Sequence, residues 1–169
     1  IGIQGVDVKT RIRNIFYHQR DVLDELACVM GCDFDAYVAS VHPYLSSVQI
    51  INLLNKGFAI GAHSLDHPLF SELCIEDQLI QTTESLRYLS DRYRYDCNAF
   101  AFPYRDTGIS PEFFQKAFSD SRLKVSFGIG GIRQRYFQRN LPRFSMERTD
   151  LPAAQILARQ FGRAFLGRL

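Results

Sequence analysis

The sequence predicts an α/β fold in which parallel strands alternate with helices. Two short apolar segments, 58–62 and 98–102, are too apolar for surface helices and are typical of buried strands. A long helix is predicted between them over positions 75–93, with Leu79, Ile80, Leu86 and Leu89 facing inward. Helices of ten or more residues between buried strands are typical of βα units, and we therefore expect a parallel sheet.

The first third of the chain predicts helices only. Apolar residues recur at helical spacing over 9–30, and Gly31 provides the residue that ends this pattern. A short helix is expected over 34–41, before Pro43. Ser46 and Gln49 have the spacing of a capping box, which predicts a further helix that ends at Gly57.

The part after the second strand continues the alternation. Ser110-Pro111-Glu112 combines a capping hydroxyl, a proline in the first turn and an acidic residue, and it predicts a helix to about position 118. Segments 124–129 and 139–146 are two further strand candidates. From Pro152 the chain predicts a terminal amphipathic helix with Ile156, Leu157, Phe161 and Phe165 on one side.

Length and composition limit the class of protein. A chain of 169 residues predicts a single domain over 1–169. Hydrophobic residues make up 46% and charged residues 22%, which excludes a disordered chain. We expect no membrane span, because no run of 18 apolar residues occurs. No secretory signal is visible either, which favours the cytoplasm, although the chain begins with Ile1 rather than Met.

Charge and cysteine usage point away from a nucleic-acid-binding protein and from a disulfide- or zinc-stabilised one. Net charge is +2, and the arginines of 133–169 are typical of a solvated helix face, so nucleic acid is not an expected partner. The cysteines at 28, 32, 74 and 97 form no CxxC pair. We therefore expect reduced and mostly packed thiols rather than a disulfide framework or a zinc knuckle.

The sharpest functional signal is a pair of histidines four residues apart. His63 and His67 directly follow the first predicted strand, where ligands of parallel sheets bind. If the segment between them turns helically, both imidazoles face one way and can share a metal ion. The alternative is a pair of loop histidines, one capping and one exposed. His18 and His42 are expected to be structural.

A longer motif surrounds the two histidines. It consists of Gly61-x-His63-Ser64-x-x-His67-Pro68, a long helix, and a strand that ends in Phe102-Pro103-Tyr104. This combination resembles the polysaccharide deacetylase family of carbohydrate esterases, which share the NodB homology domain. The motifs lie between positions 58 and about 113, and segments 17–20 and 141–147 are similar in style to a bacterial subgroup of that family.

The resemblance implies a distorted (β/α) barrel, here a partial one because a full barrel usually has about 250 residues. It implies a divalent metal, usually zinc, and hydrolysis of the carbon–nitrogen bond of an N-acetylated sugar, so the expected partner is a carbohydrate. By position, His63 and His67 match the two histidine ligands, and Tyr104 matches the residue whose backbone N–H holds the oxyanion. Pro103 and Arg105 are the implied substrate-binding neighbours.

The chain also departs from the family pattern. Members carry a Thr-Phe-Asp-Asp motif that provides the general base and the third metal ligand, but the 169 residues contain no Asp-Asp pair. The arginine two residues before the Pro-Tyr turn is replaced by Ala101, and Arg105 stands where many members have glycine. The late Leu-x-His motif is absent, because no histidine follows His67. The metal-ligand set is therefore incomplete.

Three interpretations remain open. The chain resembles a metal-dependent deacetylase that lacks its first strand or strands, whose complete form is an enzyme. Alternatively, it is a catalytically inactive domain of the same fold that binds glycan or a protein partner. The third interpretation is an unrelated α/β domain in which the histidine spacing is accidental. The sequence indicates neither the particular glycan nor the oligomeric state.

Overall fold

The computed structural model describes residues 8–129, 137–143, 146 and 151–166. The chain forms two compact units, Ile1–Lys56 and Gly57–Leu169. A single domain over 1–169 stays a prediction.

The first unit is helical throughout its described part. It contains α1 (Val8–Arg13), a 3-10 turn (Tyr17–Gln19), α2 (Asp21–Val29), α3 (Phe34–Val41) and α4 (Ser47–Asn55). The continuous helical pattern expected over 9–30 is broken after α1, so that prediction was wrong about one helix. The predicted bounds of α3 are confirmed.

Local capping signals define the helix ends of this unit. The Asp33 carboxylate accepts the Ala36 N–H at 2.8 Å, and the Ser46–Gln49 capping box forms in both directions. His42 adopts a left-handed conformation (φ 48°) that closes α3, which agrees with a structural histidine. Gly31 (φ 64°) follows α2 in the left-handed region that glycine favours.

The second unit contains a parallel sheet. Its strands are β1 (Ala99–Ala101), β2 (Val125–Gly128) and β3 (Asn140–Pro142), paired in the order β1-β2-β3. All three fall inside predicted strands, and the parallel pairing is confirmed. Positions 144 and 145 of the predicted strand 139–146 lie outside the described residues.

The first predicted strand, 58–62, is reduced to a single bridge. Ala62 pairs in parallel with Phe100, through Ala62 N–H to Ala99 O and Ala101 N–H to Ala62 O, both at 2.8 Å. Earlier in this segment a side chain replaces the backbone ladder, since the Ile60 N–H donates to the Tyr95 hydroxyl at 3.3 Å. Even so, the segment brings His63 to the end of β1.

The described part of the second unit also contains α5 (Ile75–Tyr93), α6 (Pro111–Ala117) and α7 (Ala153–Phe165), with a 3-10 turn (Phe70–Glu72) before α5. α6 begins as predicted, because the Ser110 hydroxyl accepts the Phe113 N–H at 3.1 Å. The expectation that Ile80 faces inward was wrong, because Ile80 is exposed. On α7, Ile156 is buried whereas Leu157, Phe161 and Phe165 are exposed.

A phenylalanine-rich core lies between β1, α5 and α6. Its buried members are Ala62, Phe70, Leu86, Cys97, Phe100, Phe102, Phe113, Phe114, Ala117, Phe118 and Leu123. Phe70 meets Phe100 and Phe102 with ring centroids 5.5 and 5.2 Å apart, the spacing that aromatic pairs prefer. This core fixes the end of β1, from which the candidate site emerges.

The cysteine expectation needs a correction. All four thiols are free, but only Cys97 is buried, and Cys28, Cys32 and Cys74 are exposed. Separately, no helix of the described residues is both long and apolar enough to cross a membrane.

Candidate functional site

His63 stands at the carboxyl end of the first strand segment. The bridge at Ala62 places its imidazole beside the last residue of β1, and Nδ1 lies 2.7 Å from the Ala101 carbonyl oxygen. A carbonyl oxygen only accepts hydrogen bonds, so Nδ1 carries the proton and Nε2 of the neutral ring keeps its lone pair. A backbone carbonyl on the other ring nitrogen is the usual support of a metal-binding histidine.

His67 reaches the same place by a loop, not by a helix. Ser64 (φ 69°) and His67 (φ 57°) both lie in the left-handed region, and the Ser64 hydroxyl accepts the His67 N–H at 3.0 Å. The segment therefore does not make the helical turn that would place both imidazoles on one face, although the two rings still meet. Their centroids are 4.9 Å apart, with planes inclined at 74°.

This separation suits a shared metal ion. Two imidazoles on one tetrahedral zinc, each at about 2.0–2.1 Å, have ring centres roughly 5 Å apart. The centroid separation thus agrees with that of two zinc-bound imidazoles, and a shared metal ion stays a prediction. Within the described residues no group of three or more histidine, cysteine or acidic side chains is placed to complete it.

The electrostatic surroundings favour the neutral form of His63. Partial withdrawal of the ring from water is the main cause that lowers its pKa, and the positive charges of His67 and Arg143 lower it further. The hydrogen bond to Ala101 acts in the opposite direction. The result is a lowered pKa, and neutral imidazole is the form that binds metals.

Tyr104 completes the group of side chains at the strand ends. Its ring meets that of His67 edge-on, with centroids 4.7 Å apart. The residue is exposed and adopts φ 53°, a conformation that non-glycine residues rarely take. No acceptor within the described part of the chain takes its backbone N–H. The oxyanion-binding role that the resemblance implies for this N–H stays a prediction.

The two residues expected to bind substrate differ in their surroundings. Pro103 is fully buried, so it shapes the turn and offers no surface to a ligand. Arg105 is exposed, and its N–H donates to the Pro103 carbonyl at 2.6 Å, which tightens the turn around Tyr104.

Two aspartates near the histidines are engaged elsewhere. Asp66 accepts a hydrogen bond from the Gln81 side chain at 2.5 Å, while Gln81 also accepts the Leu65 N–H at 3.0 Å. For His63 the orienting acceptor is the Ala101 carbonyl instead.

Asp106 ties the turn after β1 to the neighbouring strands. Its carboxylate accepts the Ile129 N–H at 3.1 Å and the Asn140 side-chain amide at 2.9 Å. Asn140 in turn accepts the Ser126 hydroxyl at 2.8 Å. The network positions the Tyr104 turn and leaves Asp106 bound on both oxygens.

Arg143 is a site residue that the sequence did not single out. It follows β3, and its Nη2 donates to the Phe102 carbonyl at 2.7 Å, immediately before Pro103. The residue is remote in sequence from the histidines, so only the parallel pairing of β1, β2 and β3 brings it here. The resemblance covered segment 141–147, but it assigned no site role to a residue of that segment.

Comparison of the chain with models of protein families, with curated proteins and with solved structures gave no match. The resemblance to the polysaccharide deacetylase family therefore rests on the motifs alone.

Proposed function

We propose that this site belongs to a metal-dependent hydrolase of non-peptide carbon–nitrogen bonds, one that removes acetyl groups from N-acetylated sugars. The observation that carries the proposal is the contact chain His63–His67–Tyr104 at the ends of parallel strand segments, with ring centroids 4.9 and 4.7 Å apart. We further propose the partial (β/α) barrel of the deacetylase type as its fold. The cytoplasmic location stays a prediction.

His63 and His67 would hold the metal ion, zinc by preference of the ligand type. When bound, zinc polarises a carbonyl and lowers the pKa of its water to about 7. The chain's own residues orient the reaction. Ala101 fixes the His63 tautomer through its carbonyl, and the Tyr104 N–H would donate to the amide oxygen as negative charge develops on it.

Neither aspartate near the histidines is free to act as a general base. Asp66 and Asp106 are both hydrogen-bonded to other side chains, and a general base typically contributes 10²–10⁴-fold to the rate. We therefore expect slow acetate release from this chain. A third protein ligand is also missing from the described residues, so zinc binding should be weak.

The experiment combines zinc titration calorimetry with acetate release from an N-acetylated chitooligosaccharide. We expect His63→Ala and His67→Ala to abolish one weak zinc site and the slow, zinc-dependent acetate release. His18→Ala is the matched control, because His18 is exposed and lies in the 3-10 turn of the first unit. Tight zinc binding that survives both site substitutions would contradict the proposal.

The second candidate is a non-catalytic domain of this fold that binds glycan or a protein partner. It is favoured by the engagement of Asp66 and Asp106, which leaves the site a binding surface without a base. Oligosaccharide binding that persists in a chelator, together with no acetate release from the zinc-loaded chain, would favour this candidate over the enzyme.

A further inference from the structure

The carbonyl groups of Ala101 and Phe102, at the end of β1 and directly after it, accept hydrogen bonds from two different side chains. The Ala101 oxygen accepts from His63 Nδ1 and the Phe102 oxygen accepts from Arg143 Nη2, each at 2.7 Å. Pro103 and Tyr104 follow directly. An imidazole and a guanidinium thus flank the same turn, the one whose backbone N–H at Tyr104 has no acceptor within the described residues.

The charge of Arg143 has no counterion in the described part of the chain. The ion pairs on α5, on α6 and at Asp120–Arg122 do not involve Arg143. Its Nε is buried without a hydrogen-bond partner among the described residues, and the residue as a whole is partly buried. A partly buried cation with one hydrogen bond from its side chain retains strong donors for an anion.

Arg139, close by on the same segment, shows the contrast. Its guanidinium lies 4.2 Å from the centre of the Phe118 ring, and its Nη2 donates to the Phe118 carbonyl at 2.9 Å. Arg139 is thus fastened to the end of α6, and its charge is used structurally. Arg143 instead lies close enough to His63 for its charge to lower the pKa of that imidazole, and its backbone N–H donates to the Gly128 carbonyl at 3.0 Å.

We propose that Arg143 recognises a carboxylate group of the ligand at the His63–His67–Tyr104 site. This inference deepens the proposed function and rests on it for the identity of the ligand. Two sources share the chemistry: the acetate that deacetylation releases, and the carboxylate of an acidic sugar residue. Guanidinium groups bind carboxylates through charge-assisted hydrogen bonds, which are the stronger class.

The test measures binding of sodium acetate, sodium glucuronate and uncharged glucose to the full chain by backbone amide NMR shifts. A chelator is present throughout, so a metal ion cannot hold the carboxylate. We expect acetate, glucuronate or both to shift the Tyr104 amide, and glucose to have no effect. Arg143→Gln should weaken carboxylate binding about tenfold or more, because a charge-assisted hydrogen bond is lost. Arg139→Gln, the matched control, removes the same charge and should leave binding unchanged.

The outcomes separate the two sources. Binding of acetate and glucuronate with similar affinity assigns Arg143 to the released acetate, whereas binding of glucuronate alone assigns it to an acidic sugar. No carboxylate binding, equal binding of glucose, or binding unchanged in Arg143→Gln overturns the proposal. If Arg143→Gln fails to fold, Arg143→Lys decides. A single ammonium cannot replace the fork that reaches Phe102, so wild-type affinity in that variant also overturns it.

Failure here is distinguishable from failure of the proposed function. The measurement uses no zinc and no turnover. A chain that binds zinc through His63 and His67 but takes no carboxylate would keep the hydrolase proposal and lose only the role of Arg143.

Discussion

The two units of the chain are built on different principles. In the described part of the first unit, Ala27 is the sole buried residue, and large apolar side chains such as Phe34, Tyr44 and Ile51 are exposed. The second unit buries a connected cluster in which Phe70, Phe100 and Phe102 have no exposed surface. The first unit is therefore defined by local signals, and the second by packing.

This difference explains where functional geometry is found. Helices of nine residues, such as α2 and α4, are marginal in water by themselves, since isolated helices shorter than about 12–15 residues rarely persist. Capping by Asp33 and Ser46 fixes where a helix begins but does not pack side chains against one another. In the second unit, the packed end of β1 holds His63 by its Ala101 carbonyl. A site that must position several groups needs that support.

The largest difference in folding stability between the two units is expected when an aromatic side chain of the core is truncated. Phe102→Ala should reduce the free energy of unfolding by about 3–5 kcal/mol, because it leaves a cavity among aromatic neighbours. Phe34→Ala, on α3, removes a side chain that is 60% exposed and should stay within about 0.5 kcal/mol. Urea unfolding followed by circular dichroism measures both. An equal loss in Phe34→Ala would show that the first unit has a core after all.

Sequence reasoning succeeded where the signal is local. The capping box at Ser46, the proline-led start of α6 and the bounds of α5 all depend on residues within one or two turns. It failed where tertiary partners decide. The strand at 58–62 shrank to one bridge because the Tyr95 hydroxyl takes the Ile60 N–H, and a partner 35 residues away leaves no local pattern.

A smaller loss of folding free energy is expected from substituting Gly128 or Gly31, two glycines that are constrained for different reasons. A Cβ on Gly128 would lie 2.0 Å from an Asp106 carboxylate oxygen, so Gly128→Ala must displace the Asp106 network and should cost about 1–3 kcal/mol. Gly31 has open space around it but adopts φ 64°, so Gly31→Ala meets only backbone strain, about 1–2 kcal/mol. Denaturant titrations of both variants give these values.

Asparagine is the matched substitution for this pair. It tolerates the left-handed region, so Gly31→Asn should recover most of the stability that Gly31→Ala loses. Gly128→Asn should recover none, because its obstacle is the Asp106 carboxylate. Recovery at Gly128 as well would mean that the turn after β1 is looser than its hydrogen bonds indicate.

The candidate site was predicted in part, and for a partly mistaken reason. Four-residue spacing drew attention to His63 and His67, but the rings meet through left-handed residues at Ser64 and His67, not through a helical turn. The resemblance also pointed to Tyr104, which does lie against His67. Arg143 was missed, since its place depends on the pairing of three strands.

The smallest expected effect is on the free energy of unfolding at acid pH. It concerns the ion pair of Asp120 with Arg122, in the connection between α6 and β2. The Asp120 carboxylate accepts from the Arg122 side chain at 2.8 and 3.2 Å and from its N–H at 2.9 Å, and these hydrogen bonds lower the pKa of Asp120. A carboxyl whose pKa is lowered by folding stabilises the native state above its ordinary pKa of about 3.8, and this contribution is lost as the pH falls through the folded value. At pH 7, Asp120→Asn should therefore cost about 0.2–1 kcal/mol, the range for exposed ion pairs. The difference from wild type should vanish at lower pH.

In the first unit, Asp33→Asn keeps an equally good cap and should change little at pH 7. Urea titrations at pH 7 and pH 3 measure both variants, and a cost of Asp120→Asn that is the same at both pH values would contradict this assignment.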